Sequence, residues 1–186
     1  MLKIDNISFA YGENTIFKDF SLDIAQNEKI WLYGESGCGK TTLLKLILGL
    51  LKPQKGSIIN INNAKPSVVF QEDRLLPFKT ALQNILLVKD NPQKAIENLS
   101  ALGLSEHVNT PVSELSGGMC RRVAIARALT ADFDFLVLDE PFTGLDKENI
   151  QKAVEQILRV AQGKTIILVT HSKEEAELLD ATQIKL

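Results

Sequence analysis

The sequence is poor in cysteine, in long apolar runs and in net charge. Its two cysteines, Cys38 and Cys120, are far apart and form no CxxC pair, so neither a disulfide framework nor a zinc site is indicated. No stretch approaches the roughly 18 apolar residues of a membrane span, and the first residues do not resemble a secretory leader. A net charge of −2 excludes the global basic field that drives nonspecific nucleic-acid binding. Together these absences predict a soluble cytoplasmic protein for which no nucleic-acid partner is expected.

The 186 residues are enough for one domain with a substantial core, and their apolar pattern predicts its organisation. Apolar and polar residues alternate near the start of the chain, which predicts antiparallel strands around residues 7–11 and 20–24. Later segments either are uniformly apolar, as in buried parallel strands, or have helical spacing. They predict strands over 30–33, 57–61, 67–70, 133–138, 165–170 and 182–186, and helices over 40–51 and 147–161. We therefore expect an α/β fold in a single domain, residues 1–186, with an antiparallel β region at its N-terminus and a helical insert over about 72–132.

The strongest motif is the glycine-rich segment 34–42, GESGCGKTT, which we call the phosphate loop. It matches GxxxxGK[ST] and lies between a predicted strand and a predicted helix, the context in which this motif binds nucleotide phosphates. Its glycines let backbone N–H groups approach phosphate oxygens, and the helix adds the positive end of its dipole. Lys40 would place a positive charge on the β and γ phosphates, and the Thr41 hydroxyl would coordinate Mg²⁺. Alone, this loop leaves kinases, GTPases and ATPases open.

Two carboxylates follow a buried strand. Asp139 and Glu140 end the apolar run FLVL, and ligands of open α/β sheets bind where parallel strands end. At such a position Asp139 would hold Mg²⁺, and Glu140 would polarise the attacking water as a general base. An isolated pair of this kind is often only a solvated strand end, so the assignment depends on the phosphate loop.

A second glycine turn precedes a predicted helix. Ser116, Gly117 and Gly118, which we call the signature turn, could bind an anion through the serine hydroxyl, the open backbone and the helix N-terminus. By local rules, Ser116 could equally be a simple helix cap.

The order of these motifs resembles that of the ATP-binding cassette (ABC) ATPases. GESGCGKTT is similar to their Walker A loop, LSGGM to their signature sequence, and FLVLDEP to their Walker B segment with its catalytic glutamate. Four further residues resemble, in order, the adenine-stacking aromatic residue, the Q-loop glutamine, the D-loop aspartate and the switch histidine: Tyr11, Gln71, Asp146 and His171. Read alone, Tyr11 could simply end a strand, Gln71 could be solvated, and His171 could be an exposed loop histidine.

The resemblance implies a P-loop NTPase core, ATP hydrolysis, and the cofactors ATP and Mg²⁺. The catalytic residues would be Lys40, Glu140 and His171, and the metal ligands would be Thr41, Gln71 and Asp139. The nucleotide would contact a larger set of residues, namely Tyr11, Gly34, Ser36, Gly37, Cys38, Gly39, Lys40, Thr41, Thr42, Gln71, Ser116, Gly117, Gly118 and Asp146.

The resemblance also implies partners. In these ATPases the signature turn faces the Walker A loop of a second subunit, so two copies of this chain, or this chain and a related cassette, would share each ATP. Membrane permease subunits would contact residues 71–78, and a solute-binding protein would belong to the complex. The protein would then lie on the inner face of the cell membrane as a peripheral subunit.

Two positions depart from the commonest signature, because Met119 and Arg121 stand where glutamines are usual. The segments LSGGM and VFQEDRLLP are similar to those of importers in the nitrate, sulfonate and taurine branch, which predicts uptake of a small solute. The alternatives are a soluble ABC ATPase acting in DNA repair or on ribosomes, an exporter cassette, and a small-molecule kinase, which would leave the signature turn unexplained.

Overall fold

The computed structural model describes residues 2–60 and 63–186, which form two β-sheets with helices packed around them. The first sheet contains β1 (Leu2–Tyr11), β2 (Asn14–Ile24) and β4 (Lys55–Asn60), which pair antiparallel in the order β2-β1-β4. The second contains β3 (Lys29–Tyr33), β5 (Pro66–Val69), β6 (Phe135–Asp139), β7 (Thr165–Val169) and β8 (Thr182–Lys185). Its strands are parallel, in the order β5-β6-β7-β3-β8. The α/β fold with an N-terminal antiparallel region is confirmed, while residue 61 of the predicted strand 57–61 lies outside the described residues.

β1 begins at Leu2, earlier than the predicted strand at residues 7–11, and it contains a β-bulge. Ile4 pairs with Leu22 of β2, but Ile7 pairs with Phe20, so the register shifts between them. Asn6, inside the bulge, has a φ of +48°, a left-handed conformation that asparagine tolerates better than most residues. The shift keeps both isoleucines buried although they are three positions apart, so strict alternation of buried and exposed residues does not hold at this point.

The parallel sheet brings four loops to one edge. Because its strands run in the same direction, the segments that follow β3, β5, β6 and β7 all leave from their carboxyl ends. Every residue of β6 and β7 is buried, as expected for strands covered on both faces. This carboxyl edge is where the phosphate loop, Gln71, Asp139 and His171 are found.

The helix after the phosphate loop is shorter than predicted. α1 spans Lys40–Ile47, whereas the leucine-rich pattern predicts a helix over 40–51. Gly49 has a φ of +70°, and the N–H groups of Leu50 and Leu51 both bond back to the Lys45 carbonyl. The predicted end was wrong because a left-handed glycine stops the helix before the apolar pattern stops.

The helical insert contains α2 (Ala81–Leu86), α3 (Pro92–Ala101) and α4 (Gly117–Thr130), with short 3₁₀ turns at Ser105–His107 and Val112–Glu114. It shares a core with one face of the parallel sheet, to which β6 contributes Leu136 and Leu138. The intervening residues of β6, Phe135 and Val137, belong to a second core that joins the antiparallel sheet and α1. The helical insert is thus packed against the sheet, while the single-domain boundaries stay a prediction.

Two helices complete the fold: α5 (Lys147–Val160) and α6 (Lys173–Leu178). α5 begins as predicted and ends one residue before residue 161, and it packs against the insert through Ala153, Val154 and Ile157. Among the described residues, no helix has both the length and the apolar character that a membrane crossing requires.

Candidate functional site

A pocket of about 250 Å³ opens at the carboxyl edge of the parallel sheet. Most of the residues that line it were predicted to act on a nucleotide: Ser36, Gly37, Gly39, Lys40, Thr41, Thr42, Gln71, Asp139, Glu140 and His171, with Val169 added. They come from the last residues of β6 and β7, from the loops that follow β3, β5, β6 and β7, and from the start of α1, which explains how residues so distant in the sequence meet.

Backbone conformation decides two positions of the phosphate loop. Gly37 and Gly39 have φ values of +86° and +104°, in the left-handed region that L side chains rarely adopt. Gly39 is also in close contact with the antiparallel sheet, since an added Cβ would lie 2.6 Å from Ile16 Cγ2 and 2.8 Å from Phe17 Cζ. The phosphate loop therefore packs closely against the antiparallel sheet at Gly39.

The N-terminus of α1 is fit to receive an anion. Gly39 occupies its cap position without a capping side chain, and the first turn contains no acidic residue. In contrast, α2, α3, α4, α5 and α6 each have a cap residue whose side chain accepts a backbone N–H, namely Thr80, Asn91, Ser116, Asp146 and Ser172. Since helix N-termini attract negative charge, the first turn of α1 suits phosphate oxygens.

Lys40 adds a positive charge to this side of the pocket. Its Nζ donates hydrogen bonds to the carbonyl oxygens of Gly34, at 2.7 Å, and of Glu35, at 2.9 Å. The side chain is buried, and the two carbonyls hold its ammonium group beneath the phosphate loop. Both the charge and the uncapped helix thus favour an anionic ligand.

Asp139 ends β6 and faces the pocket from a buried position. Burial raises the pKa of its carboxyl, and the positive charges of Arg121 and Lys40 oppose that rise. Asp139 shares the pocket with the Thr41 hydroxyl and the Gln71 side chain, and oxygen ligands of these kinds suit Mg²⁺. The described residues contain no group of three or more histidines, cysteines or acidic residues placed to hold a metal ion.

Glu140 leaves the end of β6 in a left-handed conformation, with a φ of +48°. Its N–H donates to the Val169 carbonyl at 2.8 Å, which continues the pairing of β6 with β7 by one residue. Burial raises the pKa of its carboxyl, the neighbouring His171 lowers it, and Glu175 raises it further. Its Oε1 lies 3.5 Å from Nε2 of the largely exposed His171, so these two predicted catalytic residues are neighbours.

The signature turn lies outside this pocket. Ser116 caps α4, where its Oγ accepts the Met119 N–H at 3.3 Å. Gly117 and Gly118 line a separate depression of about 340 Å³, which Gln71 borders as well. Within one chain Ser116 therefore acts as the cap of α4, and the signature turn does not line the pocket that contains Lys40.

Besides the signature turn, four predicted contact residues do not line the pocket: Gly34 and Cys38 of the phosphate loop, Tyr11 and Asp146. Tyr11 ends β1 and is half exposed. Its ring packs edge to face against that of Phe9, with 5.0 Å between the ring centroids. Asp146 caps α5 by accepting the Asn149 N–H at 2.8 Å. Neither residue lines the pocket with Lys40, so their contacts with a nucleotide stay predictions.

Arg121 is a residue whose importance the sequence analysis missed. In the sequence it is only a departure from the usual signature, yet its guanidinium is buried and donates to the carbonyls of Asp139, Glu140 and Pro141. The available signal was its place on α4: it shares the helical face of Ala124 and Ala128, both buried.

Comparisons with known proteins agree with the order of motifs. A family model described as "ABC transporter" matches residues 17–143, more than half of the chain. The "Aliphatic sulfonates import ATP-binding protein SsuB 1" of Rhodococcus jostii (strain RHA1) is 38% identical, over 96% of this chain and 76% of that protein. The "Nitrate import ATP-binding protein NrtC" of Synechococcus elongatus is 41% identical, over 90% of this chain but only 28% of that longer protein.

A solved structure supports the same relation. The dimeric post-hydrolysis state of the ATP-binding cassette MJ0796, bound to ADP and Pi, matches with a TM-score of 0.87 and 29% identity. The match covers 100% of this chain and 94% of that one. The matched range of the family model contains the phosphate loop, Gln71, the signature turn and both carboxylates, whereas Tyr11, Asp146 and His171 lie outside it.

Proposed function

Because the chain belongs to the ABC transporter family and is an ATPase, we propose that it is the ATP-hydrolysing subunit of an importer and couples closure of a cassette dimer to uptake of a small solute. The observation that carries this proposal is the pocket at the carboxyl edge, which joins an anion-binding helix start to a pair of carboxylates and a histidine. In this assignment the predicted domain, residues 1–186, acts as one cassette.

The pocket residues divide the work of hydrolysis. The first turn of α1 and Lys40 would hold the phosphates of ATP, and Thr41, Gln71 and Asp139 would hold Mg²⁺. When bound, this ion neutralises charge that develops on the phosphates. Glu140 would accept a proton from the attacking water as the general base.

His171 has a supporting role in this proposal. Its Nε2 is 3.5 Å from Glu140 Oε1, on the pocket side of the strand end. From there the imidazole can contact both the carboxylate and the outermost phosphate, and so orient one relative to the other.

A second copy of the chain would complete the site. The signature turn is separate from the Lys40 pocket, so it is free to face a nucleotide bound to another subunit. The solved relative is a dimer with ADP and Pi. In the dimer of this chain, Ser116, Gly117 and Gly118 would contact the partner's phosphates, and Asp146 would lie near the shared interface.

Residues 71–78 would contact a membrane permease. The Phe78 side chain is 92% exposed and Leu76 is 46% exposed, so both present apolar surface a few residues after Gln71. Both relatives reported above are named as import proteins, one for aliphatic sulfonates and one for nitrate. We extend their shared class, small anions, to the solute of this importer, with a solute-binding protein as the further component and the inner face of the cell membrane as the location.

The proposal is tested by purifying the chain with a co-expressed permease and measuring ATP-dependent uptake of labelled small anions by proteoliposomes. Phe78→Asp should abolish copurification while the isolated chain still hydrolyses ATP. Leu178→Asp is the matched control, because Leu178 is 42% exposed on α6 rather than beside Gln71. ATP hydrolysis with no membrane partner would favour the soluble role, and phosphate transfer to an added metabolite would favour a kinase.

A further inference from the structure

The Arg121 side chain bridges two parts of the pocket wall. It is only 3% exposed, and it lies between the end of β6 and the residues that follow β5. Toward β6, Nε donates to the Pro141 carbonyl at 2.9 Å, while Nη2 donates to the carbonyls of Asp139, at 3.0 Å, and of Glu140. These three consecutive carbonyls belong to the predicted general base, Glu140, and to the residues immediately before and after it.

The same guanidinium also holds the Gln71 segment, residues 70–74. Nη1 donates to the Phe70 carbonyl at 2.6 Å, to the Gln71 carbonyl at 3.3 Å and to Asp73 Oδ1 at 2.8 Å. A single planar group thus bonds the backbone on both sides of the pocket.

A shorter polar side chain could not make this bridge. A guanidinium has five N–H donors in a fixed fork, whereas the glutamine that is usual here has two on a rotatable amide. Losing the donors would leave buried carbonyl oxygens without partners. It would also release Glu140, whose left-handed backbone is held by its bond to Val169 and by Arg121.

We infer that Arg121 is a positioning residue for ATP hydrolysis, which fixes the backbone of Gln71 relative to that of Glu140 so that both side chains keep one geometry around the terminal phosphate. The inference rests on the proposed function, since that function places the phosphate between these two residues. Arg121 itself lines the neighbouring depression with Gly117 and acts on the reacting atoms only through the residues that it holds.

The chain provides a matched control on the same helix. Arg127 donates to the carbonyls of Asp73, at 2.7 Å, and of Arg74, at 2.8 Å. It therefore anchors the same segment to α4, and within residues 2–60 and 63–186 its side chain donates hydrogen bonds on that side alone. Arg121→Gln removes the hydrogen bonds to both the end of β6 and the Gln71 segment, whereas Arg127→Gln removes hydrogen bonds to the Gln71 segment alone.

The test measures the kinetics of ATP hydrolysis with the full chain and MgATP. Arg121→Gln should lower kcat roughly tenfold to a hundredfold, as small misplacements of catalytic groups do, with KM for ATP changed by no more than about threefold. Arg127→Gln should keep kcat within about twofold even if its melting temperature falls. Arg121→Lys retains the buried charge but has fewer donors, so its kcat should lie between those of Arg121→Gln and the wild type. This variant also controls for the possibility that Arg121→Gln simply fails to fold.

Hydrogen exchange separates this inference from the proposed function. Arg121→Gln should speed amide exchange both at residues 71–73 and at residues 140, 142 and 143, while Arg127→Gln should speed it only near residues 72–74. Unchanged kcat in Arg121→Gln, or equal loss of kcat in the two glutamine variants, would overturn the inference. If the wild-type chain does not hydrolyse ATP but the two variants still show these exchange differences, the result counts against the ATPase assignment and not against the Arg121 bridge.

Discussion

Gly39→Ala tests whether the antiparallel sheet fixes the phosphate loop. The new Cβ would lie 2.6 Å from Ile16 Cγ2 and 2.8 Å from Phe17 Cζ, closer than real Cβ atoms approach a neighbour. The backbone there also has a φ of +104°. Alanine in a left-handed conformation costs roughly 1–2 kcal/mol, and forcing a methyl group into a packed contact costs about 1–3 kcal/mol more.

The two terms give an expected loss of about 2–5 kcal/mol in the free energy of unfolding. For a chain of this size each kcal/mol lowers the melting temperature by roughly 2–4 °C, so Gly39→Ala should melt about 4–20 °C below the wild type. Thermal unfolding followed by circular dichroism, at one protein concentration and without nucleotide, measures this change.

Gly37→Ala is the matched control. Gly37 has a φ of +86°, but a Cβ added to it would meet nothing within 4 Å. It should therefore lose only the backbone term, roughly 1–2 kcal/mol or about 2–8 °C. If the two alanine variants melt at the same temperature, the contact of Gly39 with Ile16 and Phe17 does not restrain the phosphate loop, and the reasoning is refuted.

Four further outcomes are expected. Glu140→Gln should keep ATP binding but lower turnover by roughly 10² to 10⁴, and unchanged turnover in a phosphate-release assay would remove Glu140 as the base. Lys40→Ala should abolish tight nucleotide binding in calorimetry, since it removes the buried cation beneath the phosphate loop; wild-type affinity would contradict the assignment. Mixing Lys40→Ala chains with Ser116→Arg chains should restore one working shared site per mixed dimer, and no recovery of hydrolysis would argue against sharing. Burial raises the pKa of the Glu175 carboxyl above its ordinary value of 4.5, and the hydrogen bond from the Thr170 hydroxyl opposes that rise. The contribution of this group to folding stability is therefore greatest below about pH 4.5 and is lost as the pH rises through its pKa in the folded state. Glu175→Gln should therefore raise the melting temperature at pH 7 relative to the wild type but not at pH 4, and an equal change at both values would show that its ionisation has no such effect.

The sequence predicted those parts of the site that depend on local pattern. The glycine-rich loop between a strand and a helix, and the carboxylates after a uniformly apolar strand, follow from residue order and from the way parallel strands end together. The predicted end of α1 was wrong because Gly49, in a left-handed conformation, ends the helix although the apolar pattern continues beyond it. The role of Arg121 was missed because its partners, Phe70 and Pro141, lie 51 and 20 residues away along the chain. Such contacts depend on tertiary packing, which no local pattern encodes.

The strand β6 explains why a strained residue can stand at the centre of the site. Phe135 and Val137 pack into the core of the antiparallel sheet, while Leu136 and Leu138 pack into the core shared with the helical insert. Because a packed interior resists displacement, the strand end is fixed from both faces before Glu140 turns into its left-handed conformation. A non-glycine residue in that conformation costs on the order of 1–3 kcal/mol and persists only where its surroundings determine it. The Val169 carbonyl and the Arg121 guanidinium then form hydrogen bonds with the Glu140 backbone itself, so the two cores and these two bonds together hold its left-handed conformation.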